Sequence, residues 1–203
     1  MFMLYSVAIG LVLGLLLGGR IGRLADIHFE WLWVAILALM VQMVLFMEPF
    51  WTTLGGFGPP IYVASTATVL VVVLRNLRAL PGLALVAVGT VSNLAAIIAN
   101  GGYMPVTAEA LGIAEPTVTK YGGNSVLTAD PMLAPLVDRF PLPEWLPFWN
   151  VFSVGDVLIS AGIVVVMVIA MRRKQDPAAS GGPTGSAAMM TRRGEPTSDV
   201  PAP

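Results

Sequence analysis

From Val157 to Met171 the chain reads VLISAGIVVVMVIAM, fifteen residues with one hydroxyl and no charge. A helix that is apolar on every side is stable only when buried all round or placed in lipid. Five segments have this character, at residues 2–19, 31–47, 60–74, 81–99 and 151–171. Only 11% of the 203 residues are charged and 56% are hydrophobic, whereas a soluble domain carries about 25% charged residues. Too few charges remain to cover a soluble surface, so the sequence predicts an integral membrane protein.

A helix crossing the hydrocarbon core needs about 20 apolar residues. The third segment has the shortest apolar core and is still read as a full crossing, extended by arginines that reach back to the interface. Arg20 and Arg23 follow the first segment, and no Lys or Arg precedes it, which is the charge order of an uncleaved anchor rather than of a secretory signal. Arg75 and Arg78 separate the third and fourth segments, and Arg172, Arg173 and Lys174 follow the fifth. The turn after the second segment has no Lys or Arg, and loop 100–150 has only Lys120 and Arg139. Cytoplasmic loops carry the excess of Lys and Arg. The expected fold is therefore an all-α polytopic membrane bundle of five transmembrane helices, N-terminus outside and C-terminus inside, with a long outer loop. Residues 1–174 form the membrane domain. Residues 175–203 are rich in Pro, Gly, Ser and Ala without apolar periodicity, and are expected to be a disordered cytoplasmic tail.

Candidate functional residues are few. The chain has no cysteine and a single histidine, His28, so disulfides, thiolate sites and His clusters are excluded. No metal, no cofactor and no nucleic-acid partner is expected. Glu109, Glu115, Asp130, Asp138 and Glu144 are too dispersed along the loop for a calcium-binding loop. Gly10, Gly14 and Gly18 recur every four residues and predict a small-residue ridge for close helix packing, within the bundle or between protomers.

Two stretches stand out. NGGYMP, from Asn100 through Gly101, Gly102, Tyr103 and Met104 to Pro105, predicts a helix stop, because Asn and Gly tolerate left-handed backbone and Pro cannot resume the helix. NVFSVGDVLISAG, residues 150–162, contains Ser153, Gly155 and Asp156, and its Ser-x-x-Asp spacing predicts a capping box. Asp156 lies about 8 Å along the helix from Val151 at roughly 1.5 Å per residue, near the interface rather than at mid-membrane. The other reading is an intramembrane functional carboxylate seeking polar partners among Asn93, Asn100, Gln42 and Tyr103. Between these stretches, FPLPEWLPFWN (residues 140–150) has the aromatics and prolines of a segment lying at the membrane interface, or of a lid.

NGGYMPV followed by NVFSVGDVLISAG, with the early GGRIGRLADI turn, resembles the membrane proteins of domain-of-unknown-function family 5317. Val154 stands in place of the Ile associated with that position. The resemblance covers about residues 1–172 and implies a multi-pass protein of the bacterial plasma membrane, with no assigned activity. The residues favour a non-enzymatic accessory or scaffold component whose partners are the lipid bilayer and either a second copy or another membrane protein. A small oligomeric proton-coupled transporter is the alternative. An enzyme acting at the outer face comes last, because a lone carboxylate lacks a second acid, base or metal.

Overall fold

The structure is a computed structural model that describes residues 2–47, 50, 53–112, 119–122, 125–147 and 149–173. Its helices are α1 (Phe2–Leu16), α2 (Leu32–Leu45), α3 (Gly58–Arg75), α4 (Gly82–Ala99) and α5 (Val154–Arg172). Each falls within or close to one of the five apolar segments. Three stretches are long and apolar enough to cross a membrane: Gly55–Arg75, which includes a 3-10 turn before α3, Gly82–Ala99 and Val154–Arg172. The first two helices are apolar but shorter. With 14 residues, α2 extends about 21 Å at ~1.5 Å per residue.

The third segment, expected to cross fully despite its short apolar core, is one of the three long enough to do so. It gains length because Gly58, Pro59 and Pro60 open the helix, where a missing N–H costs nothing. Its hydroxyls do not interrupt it. Ser65 and Thr66 donate back to the Tyr62 carbonyl and Thr68 to that of Ala64, all at 2.8–2.9 Å.

α5 packs on both α4 and α1, α4 also on α3, and α3 on α2. Glycines set how closely α4 and α5 approach. A Cβ on Gly82 would lie 2.6 Å from the Gly162 carbonyl, and one on Gly89 2.4 Å from that of Gly155. Gly10 and Gly14 of α1 accept Met167 and Met171 of α5, so this ridge packs inside the bundle. Gly18 does not extend it. The helix ends at Leu16, Gly18 turns left-handed (φ +77°), and no heavy atom would lie within 4 Å of its Cβ. There the amides of Gly18 and Gly19 donate to Leu15 and Gly14, a Schellman ending.

Loop 100–150 corrects the all-α expectation, because it contains a small sheet. β1 (Met104–Thr107) pairs in parallel with β3 (Ser125–Thr128), and β2 (Thr119–Gly122) pairs antiparallel with β3. The other edge of β1 bonds Asp138: its amide donates to the Pro105 carbonyl (3.0 Å), and its carbonyl accepts from the Thr107 amide (3.1 Å). β4 (Phe140–Pro141) pairs with β5 (Val151–Phe152), which leads directly into α5. Buried Met104 and Val137 pack against Ala96 and Ile97 of α4, with Tyr62 and Val63 of α3 alongside, so the loop is seated on the bundle by its own apolar core. Trp145 remains 80% exposed. Residues 174–203, and with them the expected disordered tail, lie outside the described residues, as does Phe148.

Candidate functional site

The polar residues of interest gather where α4 ends and α5 begins. β5 delivers the chain in extended form to Ser153, which caps α5. Its hydroxyl accepts from the Asp156 amide at 3.1 Å, and Asp156 Oδ2 accepts from the Ser153 amide at 3.2 Å. The reciprocal pair is a capping box, and it places a carboxylate at the positive end of the helix dipole. The glycine contact of α4 with α5 then brings in Asn93, whose Nδ2 donates to Asp156 Oδ1 at 2.7 Å while its Oδ1 accepts from the Ser153 hydroxyl at 2.9 Å. A Cβ on Gly155 would lie 1.9 Å from Asn93 Oδ1, so only glycine at 155 admits this amide.

The other sequence candidates are placed apart from this network. The Asn100 side chain brackets Met132, accepting from its amide and donating to its carbonyl at 2.9 Å each, and also donates to the Ala96 carbonyl. Gly101 and Gly102 are both left-handed, and their amides donate to Ile98 and Ile97 in a second Schellman ending. Gly102 packs against Pro59, where a Cβ would meet the proline ring at 2.5 Å. Tyr103 is half-buried, and Met104 and Pro105 are buried in β1. Gln42 bonds Thr66 across α2 and α3 at 3.2 Å.

One further group was not singled out by the sequence. Asp138 is 9% exposed, and its Oδ1 is buried without a hydrogen-bond partner among the described residues. Burial, and after it the negative charge of Asp156, push its carboxyl up to about 8, against a smaller opposing pull from the positive amino terminus. In the sequence Asp138 was one of five scattered loop acids. Its one distinguishing signal is the apolar stretch around it, Leu136-Val137 before and Phe140 after.

The profile of a family of unknown function, DUF5317, matches residues 26–168. The chain belongs to that family. The match runs from before α2 to residue 168 within α5, so Asn93, Asp138, Ser153 and Asp156 all lie inside the family region, whereas the whole of α1 lies before it. No curated protein and no solved structure matches the chain.

Proposed function

We propose that this DUF5317 member is a non-enzymatic accessory or scaffold component of a bacterial plasma membrane, crossing it five times with the N-terminus outside and the C-terminus inside. The observation that carries the reading is the state of Asp156, the single carboxylate in the five helices. Both of its oxygens are occupied within the bundle, by Asn93 and by the Ser153 amide. Acids within membrane segments face the bundle interior and pair with polar groups there, and this one is paired by the same groups that cap its own helix. The face available to a partner is that of α2, which packs chiefly on α3 and leaves Trp33, Leu37 and Met43 at least 57% exposed. Lipid covers this face in the isolated chain, and a second membrane protein can replace that lipid by close packing.

The test is purification in mild detergent of wild type, Asp156→Asn and Asp156→Leu. The reading predicts a co-purifying membrane partner that Asp156→Asn retains. Solute flux in reconstituted vesicles that disappears in Asp156→Asn, with the bundle still folded, would replace it with the proton-coupled carrier. The native chain has no cysteine, so topology is read from single cysteines without background. Ser125→Cys is expected to be labelled from outside intact cells and Ser180→Cys to be protected.

A further inference from the structure

At the end of the bundle where α3 and α5 finish, backbone carbonyls gather the arginines. The Arg20 amide donates to the Met171 carbonyl at 2.9 Å and Arg23 Nη1 to the same oxygen at 3.2 Å, which brings both residues beside Arg172. Arg173 Nη2 donates to the Ala79 carbonyl at 3.1 Å, next to Arg78. The segments that carry them share one apolar core, in which Leu80, Leu83 and Ala170 are buried and Leu24 and Ile27 pack against them. The arginines therefore stand on a fixed platform. The acids at this end are Asp26 and Glu30, and Glu30 is taken up by Arg75. That leaves Arg20, Arg23, Arg78, Arg172 and Arg173 with Asp26 as the one acid among them.

Arg23 is half-buried and the other four are exposed. A guanidinium carries five N–H donors in a planar fork; a bond to a carbonyl uses one, and the remainder suit the oxygens of a phosphate. Because their carbonyls already hold them, Arg23 and Arg173 lose less freedom on meeting an anion than unanchored surface arginines would. We propose that this end of the bundle binds the phosphate of a phospholipid whose headgroup is net negative. The surface beside the cations selects a lipid over a soluble phosphate. Leu16 and Leu17, at the end of α1, and Ile21, between Arg20 and Arg23, are 77%, 52% and 52% exposed. Apolar side chains next to guanidinium groups match acyl chains lying below a phosphate, whereas a soluble anion would leave them in water. Basic residues at the membrane surface add attraction to anionic headgroups, and basic pockets between helices bind them. The inference rests on the helices lying in a membrane, and not on a protein partner or on which side of the membrane this end faces.

The experiment is native mass spectrometry of the full chain in neutral detergent, counting phosphatidylglycerol and phosphatidylcholine retained from an equal mixture. Wild type is expected to prefer phosphatidylglycerol, and the preference to shrink as ammonium acetate is raised. Arg78→Gln combined with Arg172→Gln removes two exposed guanidinium groups. It is expected to lower the preference by roughly fivefold for each charge lost, with melting in lipid-free detergent unchanged. Arg139→Gln, which removes an exposed cation from the loop end, is expected to keep the preference. The wild-type preference and its salt dependence carry the test even if the double variant does not fold. Equal retention of the two lipids by wild type would overturn the inference and leave the membrane reading standing. A preference that survives in the folded double variant, or that falls as far in Arg139→Gln, would also overturn it. Inorganic phosphate that displaces phosphatidylglycerol at equal concentration would make this a site for a soluble anion and overturn the choice of a lipid.

Discussion

The two ends of the bundle solve the same problem with different materials. At the end where α3 and α5 finish, Asn76 is 4% exposed and clamps the backbone of Glu30, accepting from its amide at 2.8 Å and donating to its carbonyl at 2.9 Å. At the opposite end Asn100 clamps the backbone of Met132 in the same two-way manner. Around Asn76 the supporting groups are cations. Arg23 donates to the Met171 carbonyl and Arg173 to that of Ala79, while Arg75 meets Glu30 at 2.6 Å. Guanidinium groups have donors to spare and long stems, so they satisfy helix-terminal carbonyls while their charge stays near water. Around Asn100 the supporting groups are carboxylates and amides. Asp156 is bonded by Asn93 and the Ser153 amide, whereas Asp138 keeps one oxygen, Oδ1, buried without a hydrogen-bond partner among the described residues. Several arginines are easily accommodated at a membrane interface, whereas a single buried aspartate, Asp138, has its carboxyl pushed up to about 8.

Closing the glycine contact that builds the loop end is expected to have the largest effect. Gly155→Ala puts a methyl into Asn93 Oδ1, which breaks the network on Asp156 as well as the α4–α5 approach. Overpacking of this kind costs about 3 kcal/mol. Thermal melting in detergent should fall steeply for this variant and hardly at all for Gly22→Ala, which has open space around it. Equal melting of the two would remove the close contact from the account.

Next comes a direct comparison of the clamps. Asn76→Ala strands backbone groups at a buried site and is expected to cost about 1–3 kcal/mol. Asn100→Ala is expected to cost less, because Met132 is 63% exposed and its backbone can turn to water. Chemical denaturation of the two variants side by side checks the order, and the reverse order would mean that the loop end is the better sealed. The smallest effect belongs to the ion pair. Despite its short distance, Glu30 and Arg75 are 64% and 48% exposed, so Glu30→Gln should change stability by no more than about 1 kcal/mol and less at high salt. A larger, salt-insensitive loss would show that this pair is shielded in place.

Much of this architecture was legible because membrane helices are written in local terms. Unbroken apolar runs gave the five helices, and the Ser153–Asp156 spacing gave the capping box. The Asn-Gly-Gly stop after α4 was equally plain, since left-handed glycines leave few other uses for that pattern. The loop sheet was not legible. Its strands are two to four residues long, and β1 pairs in parallel with a segment about twenty residues away, so register depends on contacts that no local pattern carries. The glycines at 82 and 89, and at 155 and 162, do repeat every seven residues on facing helices. That signal was present, and it points to the α4–α5 contact more directly than the ridge in α1. Asn76 was overshadowed by the arginines on either side of it. Asp138 was hidden for a different reason: its importance comes from burial, and burial of a loop acid follows only from where the rest of the loop is seated.

The most direct measurement of the contrast between the two ends is melting of wild type and Asp138→Asn across pH. A carboxyl raised from 3.8 to about 8 in the folded state keeps its proton where the unfolded chain has lost it. Its contribution to stability is thus fully present below about 4, is lost as pH rises toward about 8, and is flat beyond. The account predicts that wild type loses melting temperature across this window, that Asp138→Asn lacks that loss, and that the variant melts above wild type near pH 8. Parallel curves for the two proteins, or an Asp138→Asn that melts lower throughout, would contradict it.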